Sequence, residues 1–292
     1  MKVFKFGGAS VKDAAGVKNL SSIVHQQHGQ LIVVVSAMGK TTNLLETLCN
    51  AYFHQDPKTT AIMKELKNFH LDIVNTLFPL NDTIHKHLEE LFTSLENILA
   101  SESSLCYDYE YDRIICFGEL ISTTIISDYL KMKGIENQFI DIRKFLKTDQ
   151  NYRNANIDLE LSEQLCKDAF DFNTSSVFVT QGFIAGTRTN QTTTLGREGS
   201  DYTAALLANL LNAEDVTIWK DVPGVMNADP KEYEKAQVIS RLSSISFLSS
   251  RYDIACPSSS KKSKSGTFQG MVKSGKSLFS AKCITFSSIC VT

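Results

Sequence analysis

A short strand, a glycine pair and a helix open the chain, and the same kind of unit follows at once; no other feature constrains the fold as strongly. Lys2-Val3-Phe4-Lys5-Phe6 has the apolar alternation of a strand, Gly7-Gly8-Ala9-Ser10 is a turn, and residues 13–28 place Ala14, Val17, Leu20 and Val24 on one helical face. Leu31 to Val35 is a continuous apolar run, the composition of a strand covered on both faces. After Ser36-Ala37-Met38-Gly39 a second helix carries Leu44, Leu45, Leu48 and Tyr52. Strands alternating with helices predict a mostly parallel central sheet in a three-layer α/β/α sandwich.

The next stretch interrupts that alternation. Residues 58–78 and 83–100 are two amphipathic helical patterns broken at Pro79-Leu80-Asn81-Asp82, read as a helical hairpin inserted on the sheet. A helix over 108–132 carries Phe117-Gly118-Glu119-Leu120, and strands are predicted at 137–141 and 176–180. Gly182, Gly186 and the polar residues 187–200 predict a long loop, followed by a helix from Asp201 to about Leu211 and a strand from Asp215 to Trp219.

Composition narrows the function classes. A net charge of −2 provides no basic face for nucleic acid or a membrane surface. No apolar run reaches the 18 or more residues of a spanning helix, and the N-terminus turns glycine-rich before a signal-peptide core forms. The seven cysteines are scattered without C-x-x-C spacing, so neither a zinc site nor a disulfide framework is predicted and a reducing cytoplasm is the expected compartment. The charge is unevenly spread. Residues 1–240 carry 22 Lys and Arg against 31 Asp and Glu, whereas residues 241–292 carry 8 against 1, with 15 serines. The break sets off residues 241–292 as a divergent Ser/Lys-rich tail without sustained periodicity, to which no structure is assigned.

Three turns hold the candidate chemistry. Gly7-Gly8 lets the backbone approach a ligand, and the helix expected after it offers free N–H groups to an anion, with Lys5 as a point charge; an ordinary tight turn is the alternative. The sequence is no Walker P-loop, since G-x-x-x-x-G-K-[ST] is absent. Ser36 to Asn43 follows a buried strand at the sheet edge where α/β proteins bind ligands, with Thr41 or Thr42 equally able to serve as a helix cap. Glu119, mid-helix between apolar neighbours, is either solvated or faces a cleft. The richest stretch is Thr194-Leu195-Gly196-Arg197-Glu198-Gly199-Ser200-Asp201: a glycine-framed arginine suited to a carboxylate, then an aspartate that can cap a helix or organise cations around a phosphoryl group. The strand at 215–219 leads into Lys220-Asp221-Val222-Pro223-Gly224-Val225 and Asp229-Pro230-Lys231, a loop placed to border a nucleotide.

Together these blocks resemble the aspartate kinases of the amino acid kinase family. The matching segments are Lys5 to Val11, Val35-Ser36-Ala37 with Thr42-Asn43, Gly118-Glu119-Leu120, Thr194 to Arg197 with Gly199 to Ala205, and Lys220 to Val225 through Asp229-Pro230. They span residues 1 to about 240 in the family's order. The resemblance implies the amino acid kinase fold over 1–240, and transfer of the ATP γ-phosphate to the β-carboxylate of L-aspartate, the entry to lysine, threonine and methionine synthesis. It implies a homodimer. Lys5 and Asp201 become the catalytic pair; Lys5, Phe6, Gly7, Gly8, Ser10, Lys220, Asp221, Met226 and Lys231 border the nucleotide; Ser36, Thr42, Glu119, Arg197 and Ser200 line the aspartate site. Mg²⁺ is expected to arrive on the nucleotide, because the sequence presents no cage of its own.

The sequence departs from the family's pattern at Ala9, where Thr is usual, at Glu198, where Gly is usual, and at Met226, where Tyr is common. Beyond residue 240 it has no counterpart of the Ala-Lys-Val-Leu-His-Pro-like segment, with its further nucleotide-binding lysine and closing strand, nor of the regulatory ACT domains. A related kinase with a glutamate or carbamate acceptor, or a kinase domain that binds ATP without turnover, are the alternatives. A reading frame shifted near residue 240 accounts for the change in composition. Translating the gene in its other two frames is expected to recover the missing segment; its absence from both overturns the frameshift.

Overall fold

The computed structural model describes residues 1–80, 82–220, 233, 235 and 237, and the strand at 283–288. Chain order is β1 (Lys2–Phe6), a 3₁₀ turn (Gly8–Val11), α1 (Ala14–His25), β2 (Leu31–Val35), α2 (Thr41–Phe53), α3 (Thr59–Leu77), α4 (Thr83–Leu99), α5 (Tyr107–Met132) and β3 (Gln138–Ile140). After a second 3₁₀ turn come β4 (Lys147–Thr148), α6 (Leu159–Ala169), β5 (Val177–Gln181), β6 (Ile184–Thr187), β7 (Thr192–Thr194), α7 (Gly199–Leu210), β8 (Asp215–Lys220) and β9 (Cys283–Ser288).

The main sheet runs β3-β5-β2-β1-β8-β9, every described pairing parallel. All five residues of β2 are buried, as its apolar composition requires of a strand covered on both faces. The helices α5 and α7 both pack against β2, and α7 reaches β1 and β8 as well. A small second sheet, β4-β6-β7, joins a parallel pair to an antiparallel one. Asp13 begins α1 as a side-chain cap, accepting from the Gly16 N–H at 2.8 Å, and Asp158 does the same for α6 through the Leu161 N–H.

Three expectations need correction. The helical hairpin α3–α4 packs chiefly on helices rather than on the sheet, α3 against α2 and α4 against α5. Its buried stripe (Met63, Leu66, Ile73 and Val74, then Ile84, Leu88, Phe92 and Leu95) meets apolar helix surface that the sheet does not cover. The polar stretch 187–200 is only partly a loop, because Thr192–Thr194 is a strand; threonine is β-branched and suits a pleat although no hydropathy pattern marks it. Cys283–Ser288, in the tail given no structure, lies parallel to β8 at the sheet edge, and its run Ile284-Thr285-Phe286 is β-forming by composition.

Leu88 is wholly buried between α4 and the rest of the core. Leu88→Ala is expected to lower the unfolding free energy by about 2–5 kcal/mol, read as a lower urea midpoint at unchanged slope. An unchanged midpoint would show that α4 is not part of the cooperative core.

Candidate active site

Parallel pairing without slippage brings four strand ends into line. Phe6 is opposite Val35 and Trp219, and Val35 is opposite Gln181. The turns that leave them therefore gather at one sheet edge, where open α/β sheets take ligands. Two of these turns interlock. Gly39 N–H donates to the Gly8 carbonyl at 2.9 Å, and a Cβ on Gly8 would lie 2.5 Å from the Ala37 carbonyl oxygen, so only glycine fits there. The glycine pair opens a 3₁₀ turn rather than α1 itself, with Ser10 N–H closing on the Gly7 carbonyl.

A cavity of about 560 Å³ lies at this edge, walled in part by Lys5, Gly8, Ser36, Thr42, Glu119, Arg197, Ser200 and Asp201. The sequence reading had placed all eight at the site. Lys5, 5% exposed, sits on β1 with its ammonium 2.6 Å from Asp201 Oδ1, and Asp201 Oδ2 is 2.9 Å from Lys220 Nζ. Burial pushes the Asp201 carboxyl up, but the charges of Lys5 and Lys220 outweigh it and hold the group below its ordinary value. Asp201 lies in the first turn of α7 instead of capping it. Glu198 occupies the cap position with φ +60°, a left-handed conformation that explains why glycine is the usual residue there.

Glu119 is buried in α5, not solvated. Its Oε1 accepts from the Ala37 N–H at 3.2 Å, and its Oε2 finds no hydrogen-bond partner among the described residues. Burial pushes its carboxyl up to about 8, against the pull of the Ala37 hydrogen bond and the Lys5 charge. Arg197 is exposed on the cavity wall with no ion pair among the described residues. Thr42 lines the cavity, while the Thr41 hydroxyl lies 3.3 Å from His70 Nε2 in the buried interior. Burial lowers His70 to about 4, so the ring is neutral there; with Nδ1–H donating to the Leu66 carbonyl, Nε2 accepts from Thr41.

Phe6, Gly7 and Ser10 adjoin the cavity without belonging to the wall above. Phe6 is wholly buried and stacked on Trp219 at 5.9 Å, and the Ser10 hydroxyl donates to the Trp219 carbonyl at 3.2 Å. Asp221, Met226 and Lys231 lie outside the described residues. Sequence reasoning missed Tyr111, Arg153 and Phe183 on the wall, and the buried Asp112 behind it. Asp112 accepts from Thr194 N–H and Oγ1 and from Arg153 N–H at 2.7–2.9 Å; burial nonetheless pushes its carboxyl up to about 6. Only the loss of apolar periodicity at Asp112 within a buried helix could have signalled it.

A parallel sheet whose edge gathers glycine turns, a lysine–aspartate–lysine chain rooted in the buried Lys5, and an arginine with no ion pair among the described residues can hold a polyanion against a carboxylate. These are the features of an α/β small-molecule phosphotransferase. The profile of the amino acid kinase family matches residues 1–273, past the break in composition at 240, and the chain belongs to that family. It is 32% identical over 243 residues to lysine-sensitive aspartokinase 3 of Escherichia coli K12, covering 82% of this chain and 53% of that protein. It is 31% identical over 244 residues to an aspartokinase of Chlamydia pneumoniae, covering 82% and 52%. The crystal structure of E. coli aspartokinase III in complex with aspartate and ADP superposes with a TM-score of 0.75 at 31% identity, covering 82% of this chain and 53% of that one. The chain spans about half the length of these relatives.

The raised Glu119 carboxyl has a consequence for stability. The folded chain keeps a proton that the unfolded chain releases above the ordinary value of 4.5, so stability falls as pH rises from about 4.5 to about 8. Glu119→Gln is expected to flatten that fall in urea titrations between pH 5 and 8. Parallel curves for variant and parent would place the titration elsewhere.

Proposed function

We propose that this chain transfers the γ-phosphoryl group of ATP to the β-carboxylate of L-aspartate, giving 4-phospho-L-aspartate and ADP. The ion chain Lys5–Asp201–Lys220, whose first two members line the cavity, carries this reading. A carboxylate acceptor is already ionised at neutral pH, so the reaction needs no general base. Its difficulty is that one anion must attack another. A β-carboxylate oxygen forms the new bond to the γ-phosphorus as the bond to the β–γ bridging oxygen breaks, and negative charge accumulates between them. Lys5 and Lys220 offset that charge, and Asp201 fixes both ammonium groups before substrate arrives.

In the same reading Arg197 grips the α-carboxylate, Glu119 takes the substrate ammonium on its free oxygen, and Ser36, Thr42 and Ser200 complete the acceptor pocket. The nucleotide lies along Phe6, Gly7, Gly8 and Ser10 and is bordered by Lys220, Asp221, Met226 and Lys231. In this reading Mg²⁺ arrives on the nucleotide's phosphates. Residues 1–240 carry the catalytic residues, the divergent Ser/Lys-rich tail adds the edge strand β9, and the protein acts as a cytoplasmic homodimer at the head of lysine, threonine and methionine synthesis.

With Mg-ATP, aspartate and hydroxylamine, the purified chain is expected to form aspartyl hydroxamate, and Lys5→Ala to slow it by about 10²–10³-fold. Equal rates for the two would remove Lys5 from the mechanism. The compositional break after residue 240 favours one second reading, a domain that binds ATP without turnover. Retained nucleotide binding with no hydroxamate would select it.

A further inference from the structure

The cavity wall carries a second arginine that no motif announced. Arg153 follows β4 in a tight turn with φ +67°, a left-handed backbone that costs a residue with a Cβ roughly 1–2 kcal/mol. The surrounding structure holds it there. Its N–H donates to the buried Asp112 Oδ2 at 2.9 Å, and the same carboxylate accepts from Thr194 on β7. Ala155 N–H closes on the Thr194 carbonyl at 3.0 Å, and a Cβ on Gly196 would meet Asn154 Oδ1 at 2.8 Å and the Arg153 carbonyl oxygen at 3.3 Å. The turn of Arg153 is thus packed directly on the turn of Arg197.

The side chain, though exposed, has contacts of its own. Its guanidinium carbon lies 4.3 Å from the centre of the Tyr111 ring, and Tyr111 itself lines the cavity. One N–H meets Asp108 Oδ1 at 3.2 Å, an exposed pair, leaving the other donors of the fork uncommitted to any described ion pair. Lys5 is neutralised by Asp201 on the main-sheet side of the cavity. Arg153 and Arg197 stand together on the small-sheet side, two guanidinium groups without a buried counter-ion. Backbone strain spent to place one cation beside another is retained where the pair has an anion to hold.

We propose that Arg153 is a second carboxylate-binding residue of the acceptor pocket, acting beside Arg197 on the carboxylate that receives no phosphate, so that the pocket selects amino acids with two carboxylates. The assignment rests on the reading of this cavity as a carboxylate-acceptor site. It divides the acceptor between the two sides of the cavity: the reacting carboxylate faces Lys5, and the other faces the arginine pair.

Arg153→Gly tests this without straining the fold, because glycine takes φ +67° freely. Aspartate and its α-carboxamide analogue are titrated calorimetrically into the full 292-residue parent and variant, and KM is measured for aspartate and ATP. Losing a charge-assisted contact is expected to raise both the Kd and the KM for aspartate about 10–100-fold. Binding of the α-carboxamide and the KM for ATP should change less than twofold, and Arg153→Lys should recover part of the loss. Equal weakening of aspartate and the α-carboxamide, or of ATP, would reduce Arg153 to a packing role and overturn the proposal. So would an unchanged affinity for aspartate, in which case continued hydroxamate formation would leave the kinase reading standing. A parent chain that neither binds nor phosphorylates aspartate sinks both.

Discussion

Parallel pairing of β1 with β2 on one side and β8 on the other is the constraint on which the site depends. Side chains alternate along a strand, so a one-residue slip would carry Lys5 to the opposite face and the ends of β1, β2 and β8 out of line. The register is held by burial: Val3, Phe6 and the whole of β2 are buried, and a one-residue slip of β2 would exchange the residues packed under α5 for those under α7. Such a sheet is assembled from distant segments. Between β2 and β5 the chain passes through five α-helices, the edge strand β3 and the small sheet's first strand.

The ion chain illustrates what that assembly must offset. Removing Lys5 and Asp201 from water costs several kcal/mol per ion, and their attraction recovers this only with close geometry on both sides of the carboxylate. Asp201 has that geometry, 2.6 Å from one ammonium and 2.9 Å from another. Lys220 also lies 3.7 Å from Glu198 Oε2, so the two lysines face two carboxylates, and the positive charge left over at this edge is that of Arg197. An anion is the natural complement to that field.

α5 connects the two sheets. Asp112 and Glu119 stand seven residues apart, about two helical turns, and so share a side of the helix. Asp112 ties β7 and the Arg153 turn to it, while Glu119 and Ser122 hold the turn after β2 through the Ala37 N–H and the Ser36 carbonyl. Both acids are raised by burial, and both are held by backbone donors rather than by a cation. One helix therefore sets the distance between the arginine side of the cavity and the lysine side.

The alternation of strands and helices was legible from residues 2–53 and 108–132 alone, because apolar periodicity of 2 or 3.6 survives in any single element. Lys5, Gly8, Glu119, Arg197 and Asp201 stood out as candidates, but their roles came from the resemblance to the aspartate kinases. The residues alone left Gly8 an ordinary turn or a ligand site, and Glu119 solvated or facing a cleft. The sequence also marked the change of character after residue 240, though not the strand at 283–288, which gains definition from pairing with β8. Three features were left to the tertiary structure: the threonine strand β7, the packing of α3–α4 on helices, and the entry of Arg153 and Tyr111 into the wall. Each depends on a partner outside its own segment: the Ile184–Gly186 segment and Asp112 for β7, the helices α2 and α5 for the hairpin, Asp112 for Arg153. Local pattern determines which segments can be strands or helices. Which polar residues face one another across a cavity is decided by long-range burial and hydrogen bonding, and no local period encodes that.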